Sequence, residues 1–317
     1  MKLAKEKYYA HGKLLISGEY AVLNGALAFA LPTRQGQWII VEREYDQGEL
    51  FWTASDINGR WFSCVMLLPS LVVKITSDNV RSERLRRLLL AAKDLNPLFL
   101  STDEGIRVDS YLEFYHLWGL GSSSSLIATI AAWAKVDSFK LFRKVSLGSG
   151  YDLACSIHGT PLLYQINKDQ PKSEVVTFLP TYHKNIHFVY LGLKQDTNQN
   201  LEELKERIVL LEGMNDTFSK LSYKFLHANS LHQFSTYMDD HEKLIAETMN
   251  LLPVKERLFP DFNGHIKSLG AWGGDFIMAT SKDSGEIVRN YFSRKGFNII
   301  FSFNDIILTS SEESTSK

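Results

Sequence analysis

The sequence predicts a mixed helix-and-strand chain of about two domains, and three observations carry that reading. At roughly 150 residues per domain, 317 residues make two. Residues 14–66 hold short apolar or alternating runs between turn residues, the pattern of a sheet. The second half changes texture, with long helix-period stretches between isolated strand-like runs. A content of 44% hydrophobic and 22% charged residues excludes a disordered, collagen-like or low-complexity chain. The formal charge of -1 gives no global field toward nucleic acid or an anionic bilayer, so any anion is bound locally. Cys64 and Cys155 are too few for a disulfide scaffold or a structural zinc site and suit a reducing compartment. Residues 1–9 lack an apolar signal region, and the longest apolar run, 126–134, is half a membrane span. The expectation is a soluble cytoplasmic protein, monomer or homodimer, with neither membrane nor nucleic-acid partner.

Taken in order, strands are expected at 14–16, 26–31, 37–43, 50–54 and 61–66, with Asn58-Gly59 as a hairpin signal between the last two. Residues 82–95 read as a helix, because Leu85, Leu88, Leu89, Ala92 and Leu95 recur at helical spacing. Arg84, Arg86 and Arg87 on the other faces read as a solvated surface in preference to a phosphate patch. Residues 106–115 alternate as a strand with Ile106, Val108, Ser110, Leu112 and Phe114 on one side. A glycine turn and a helix over 126–135 follow. Beyond a polar, proline-containing boundary at 168–184 come a strand at 186–191, helices over 201–211 and 216–250, a strand at 276–280, a helix over 284–293 and a strand at 297–303. Residues 310–317 read as a disordered tail.

Three glycine-rich loops carry the chemistry. Gly119-Leu120-Gly121-Ser122-Ser123-Ser124-Ser125 joins a strand to a helix, where free amides can hold a polyphosphate and the serine hydroxyls can reach phosphate or magnesium. An ordinary serine-capped helix start is the bland alternative. Neither a P-loop string nor the third Rossmann glycine is present. Gly148-Ser149-Gly150-Tyr151-Asp152 sets a carboxylate at a glycine-cleared helix start, to be read as an N-cap or as a group that orients a substrate hydroxyl. Lys267-Ser268-Leu269-Gly270-Ala271-Trp272-Gly273-Gly274-Asp275 precedes a strand and implies close backbone approach to a ligand or a tight turn.

Together with Ala10-His11-Gly12-Lys13-Leu14-Leu15-Ile16-Ser17-Gly18-Glu19-Tyr20-Ala21-Val22-Leu23, these loops resemble, in order, the motifs of the GHMP kinase superfamily, and its mevalonate-pathway branch most. The resemblance implies a two-domain α+β fold. An N-terminal ATP-binding domain over 1–170 would be like ribosomal protein S5 domain 2, and a C-terminal domain over 171–309 would be ferredoxin-like. It implies ATP and Mg2+ as cofactors and a small hydroxy- or phospho-acid, mevalonate or 5-phosphomevalonate, as acceptor. Asp152 and Lys13 would be catalytic. Gly119, Leu120, Gly121, Ser122, Ser123, Ser124, Gly270, Ala271 and Gly273 would hold the nucleotide, with Ser123 on the metal. His11, Glu19, Tyr20 and Trp272 would face the acceptor.

Two departures stand out: residues 139–148 contain no Asp or Glu to match the acidic metal ligand of those kinases, and Trp272 interrupts the third glycine run. A noncatalytic nucleotide-binding or regulatory homologue and a diphosphomevalonate decarboxylase-like lyase are the rival readings.

Overall fold

Strands β1 (Lys5–Ser17) and β2 (Ala28–Glu44) pair with each other and open the computed structural model, which describes residues 5–44, 48–167, 170–192, 209–270 and 275–309. The chain divides into two compact units. One holds the start of β1 with Gln35–His116 and Leu120–Ile157; the other holds Lys13–Arg34, Leu117–Gly119 and the chain from His158 onward. The units therefore interleave along the sequence, with β1 and β2 each running from one into the other, whereas the expected boundary near 170 is a single cut. The segments expected at 26–31 and 37–43 are one strand, β2, continued through Pro32 and Gly36.

In the first unit, β3 (Glu49–Asp56) and β4 (Gly59–Leu67) form the hairpin signalled by Asn58-Gly59. Its loop is the minimal pair Ile57-Asn58, because Asp56 and Gly59 are already partners and Asn58 N donates to Asp56 Oδ1 at 2.8 Å. Strand β5 (Val72–Thr76) was not expected; it is short and largely exposed, so its apolar residues show no buried period. Helix α1 (Asn79–Leu95) starts three residues before the expected bound, capped by Asp78, which accepts from Arg81 N at 2.9 Å. Its expected face, Leu85, Leu88, Leu89 and Ala92, is buried, at about 1.5–3 kcal/mol for each leucine.

Strand β6 (Gly105–Leu112) buries Ile106, Val108, Ser110 and Leu112, as the alternation requires. The strand order is β5-β4-β3-β6-β2, antiparallel except for the parallel pair β3/β6. Helices α2 (Ser122–Ala134), α3 (Ser138–Val145) and α4 (Tyr151–His158) follow. A core that includes Trp52, Val108, Leu89, Ile130, Phe142 and Leu153 joins these helices to the sheet.

In the second unit, Ala28–Ala30 of β2 pairs with β7 (Leu162–Asn167), which pairs with β8 (Gln170–Val175). The polar stretch expected as a boundary thus contains a strand; its Pro171 is tolerated because β8 is an edge. A second sheet takes the order β10 (His265–Ser268), β11 (Phe276–Thr280), β9 (Ile186–Tyr190), β12 (Ile300–Ser302), all antiparallel.

The helix expected over 216–250 is two, α5 (Asn215–Leu226) and α6 (Leu231–Met249). Ser230 caps α6 by accepting from Gln233 N, and the Gln233 side chain accepts in return from Asn229 N, a capping exchange that outweighs continuous helix. After α7 (Val254–Leu258) and α8 (Gly285–Arg294), the strand expected over 297–303 is confined to β12. Ser302 N and Oγ both donate to Asp305 Oδ2 and begin α9 (Phe303–Ile306). Most of the helix expected over 201–211, and the tail, lie outside the described residues. No helix among the described residues is long and apolar enough to cross a membrane.

Candidate active site

The glycine-serine loop delivers the start of α2. Gly121 is its N-cap residue, in the left-handed region at φ 91° that favours glycine, and it offers no side chain to the first-turn amides. The serine-capped start is therefore not what forms. Ser124 and Ser125 turn inward: Ser124 Oγ donates to Gly121 O at 2.9 Å, and Ser125 Oγ donates to Gln37 Oε1 at 2.7 Å. The Ser122 and Ser123 hydroxyls make no hydrogen bond among the described residues. Uncapped amides, the positive end of a helix and two unspent hydroxyls suit phosphate oxygens. Ser124 can contribute only its amide, and the Leu120 side chain is buried.

Ser122 and Ser123 line a cavity of about 530 Å³ that lies wholly within the first unit. Its floor is apolar, from Trp52, Phe62, Leu85, Leu112 and Ile127. Its wall carries Arg81, Arg84 and Arg87 of α1, Trp61 of β4, and His116. His116 is fixed by Asp56, whose Oδ2 accepts from His116 N at 3.0 Å and lies 2.7 Å from Nδ1. Burial alone would raise the Asp56 carboxyl, but the hydrogen bonds from His116 and Asn58 outweigh it and hold it below the usual range. The Trp61 ring stacks on His116 at 4.6 Å, and the Arg81 guanidinium lies 5.0 Å over the same indole. Reading the sequence missed this wall, because β4, α1 and the turn beyond β6 that bears His116 meet only through sheet register and helix packing.

Also in the first unit, Asp152 is the second residue of α4. It lies inside the first turn, so it is not the N-cap, and its Oδ1 accepts from Leu153 N at 2.9 Å. A carboxylate there is favoured by the helix dipole. His11 packs edge-on to Tyr9, ring centres 4.9 Å apart.

The second unit holds Lys13, whose Nζ donates to Gly119 O at 3.3 Å. A Cβ on Gly119, which sits at φ 67°, would meet Asp275 Oδ2 at 2.1 Å, so this glycine lets the carboxylate close on the loop. Burial raises the Asp275 carboxyl, and Lys13 partly opposes the rise. Asp275 was quoted with the third glycine loop but given no role; its place beside Lys13 and Gly119 makes it part of this group.

Glu19, expected at the acceptor, has a side chain 1% exposed and ion-paired to Lys267. Burial works to raise the Glu19 carboxyl, yet Lys267 and then His241 pull it below the usual range. Burial, then Lys267, lowers His241. Gly18 N approaches His241 Nε2 at 3.4 Å, and Glu19 Oε2 lies 3.0 Å from the same nitrogen. Glu242 completes the cluster by accepting from Val254 N, Ser268 N and Ser268 Oγ at 2.9–3.1 Å. Tyr20 packs against the core cluster that includes Ala21, Ala26 and Phe218. Gly270 ends the loop beyond β10 at φ 67°; Ala271, Trp272 and Gly273 lie outside the described residues.

Among the described residues no group of three or more His, Cys, Asp or Glu side chains is arranged to hold a metal. Magnesium tolerates such a setting, because it keeps several waters and binds through phosphates with few protein ligands. The Ser122 and Ser123 hydroxyls fit that use.

No family model and no curated protein sequence matches the chain. Solved structures do. Mevalonate kinase from L. major, determined with R-mevalonate, is 13% identical with a TM-score of 0.67 and 98% of each chain covered. Phosphomevalonate kinase from Streptococcus pneumoniae is 19% identical, TM-score 0.65, covering 95% of this chain and 98% of its own. Galactokinase from Lactococcus lactis is 12% identical, TM-score 0.68, covering 96% and 93%.

Proposed function

Since the chain has the α+β GHMP kinase fold, we propose that it transfers the terminal phosphoryl group of a nucleoside triphosphate to mevalonate or 5-phosphomevalonate. ATP is the donor the resemblance implies. The observation that carries the reading is the uncapped start of α2 opening on a 530 Å³ cavity, with the Ser122 and Ser123 hydroxyls unspent. The amides of that turn bind the donor's phosphates, and the apolar floor takes its base. Ser123 would hold a magnesium ion carried in on those phosphates, and that ion would supply neutralisation of charge on the transferred group.

In the transfer, an acceptor oxygen forms a bond to the terminal phosphorus while the bond to the bridging oxygen breaks, and the nucleoside diphosphate leaves with that electron pair. For an alcohol acceptor the proton passes to the Asp152 carboxylate; a phosphate acceptor needs only orientation. The Lys13 ammonium stabilises charge as it develops. Release of nucleoside diphosphate, measured with each acceptor in turn, tests this. One acceptor is expected to support turnover, with Asp152→Asn about 10²–10⁴-fold slower. Equal rates for both proteins would remove Asp152 from this role, and nucleotide binding without release on either acceptor would favour a noncatalytic homologue.

A further inference from the structure

We infer that Asp275 is a positioning residue for phosphoryl transfer, holding the Lys13 ammonium at Gly119, where the glycine-serine loop begins; the inference rests on the transfer reading above. Three stretches far apart in the sequence meet at this glycine, all within the second unit. Lys13 comes from β1 and donates from Nζ to Gly119 O at 3.3 Å. Asp275 stands just before β11, and a Cβ on Gly119 would fall on its carboxylate. A cation and a carboxylate therefore converge on one residue of the loop.

The backbone around the pair is pinned. Asp275 O accepts from Leu191 N at 2.8 Å, so the pairing of β11 with β9 continues one step past Phe276. Phe276 is buried, its ring 5.3 Å from that of Tyr190 and 6.4 Å from that of Trp118. Trp118 packs in turn on Phe301 at 5.4 Å, and the hydroxyl of Tyr190, the titratable neighbour on β9, donates to Leu117 O at 3.2 Å. Gly119 follows directly, at φ 67°. This aromatic packing sets its distance from Asp275, and its missing side chain leaves room for the carboxylate.

Asp275 is half-buried, and among the described residues no side chain or amide donates a hydrogen bond to its carboxylate. Burial raises its carboxyl, and Lys13 is the charge that opposes the rise. A carboxylate kept partly dry and without donors costs stability unless a cation serves it, and asparagine would fill the same space without that cost. The lysine gains in return. Its stem is long and flexible, and one hydrogen bond of 3.3 Å fixes it weakly, so a carboxylate at the same glycine restrains where the ammonium rests. A cation already in place as charge develops on the transferred group needs no reorganisation at that moment. Because the charges of the pair cancel, this restraint does not tighten the ground-state hold on the donor.

A double-variant cycle on the full chain tests this, with release of nucleoside diphosphate as the rate. Asp275→Asn keeps the shape and removes the charge; it is expected to lower kcat about tenfold or more without raising the donor KM. The alkaline limb of its kcat profile is expected at lower pH by about one unit or more, since the lost negative charge had favoured the ammonium. In a Lys13→Met background the same change is expected to cost no more than about twofold, because no ammonium is left to place. Urea unfolding reads the pair without turnover: Lys13→Met is expected to lower the midpoint by stranding the carboxylate, and Lys13→Met/Asp275→Asn to recover it. A kcat unchanged in Asp275→Asn, or losses that simply multiply in the double variant, overturns the positioning role and leaves phosphoryl transfer standing. A midpoint that the double variant does not recover overturns the pair itself. Absence of turnover by the wild-type protein with either acceptor overturns the transfer reading and this role with it.

Discussion

The buried cluster around Glu19 and the arginine wall of the cavity use similar side chains to opposite ends. In the cluster, Lys267 and Glu19 are 0% and 1% exposed and neutralise each other, and the neighbouring Glu242 is filled by three donors. On the wall, Arg84 and Arg87 make no hydrogen bond or ion pair among the described residues, and the buried Trp61 indole N–H has no acceptor there. Charges spent inside the protein fix conformation and cannot meet a ligand; charges left unspent cost little at a wet rim and are available for recognition. Glu19, expected at the acceptor, spends its charge on Lys267 inside the protein. The arginines, expected to be mere surface, are the better candidates for contact.

Breaking the ion pair should give the largest effect. Lys267→Met strands a buried carboxylate and is expected to cost about 3–5 kcal/mol in urea unfolding, with much of the loss recovered in Lys267→Met/Glu19→Leu. No recovery in the double variant would mean that the pair is not what the lysine serves.

Acidification is the next lever. Burial, aided by Lys267 at His241 and by Arg289 at His187, keeps both folded-state pKa values below 6.5. A group whose folded pKa is depressed contributes its stability fully above the unfolded value and loses it as pH falls. Between pH 7.5 and 5.5 the unfolding free energy should therefore decline, by up to about 1.4 kcal/mol per pH unit for each histidine below pH 6.5. Glu242, raised by burial, acts oppositely as it protonates. Unfolding midpoints in His187→Asn should show a shallower slope; an unchanged slope would clear that histidine.

The smallest effect is expected on the wall itself. Arg84→Ala and Arg87→Ala should each move stability by no more than about 0.5 kcal/mol while altering nucleotide affinity. A larger loss of stability would show these arginines to be spent after all.

What the sequence made legible was local. The Gly-Leu-Gly-Ser-Ser turn, the Asn58-Gly59 hairpin and the apolar stripe of α1 each lie within a few residues, where backbone chemistry and period decide. Short elements such as β5 and α7 carried too few residues for a period to show. Ser230 and Gln233 held a readable capping exchange that the helical pattern around them masked. The cavity wall was illegible for another reason: Trp61, Arg81 and His116 meet only after β3, β4 and β6 have settled their register. Burial of Glu19 depends on Lys267, nearly the whole chain away.

That separation also bears on synthesis. Ala28–Ala30 pairs with Leu162–Tyr164, Thr33 bridges to Ile307, and Leu308 N donates to Pro32 O. At about 5–20 residues per second, the early segment leaves the ribosome on the order of tens of seconds before its last partners exist. Until then the Pro32–Thr33 stretch of β2 lacks the backbone partners that Ile307 and Leu308 finally supply.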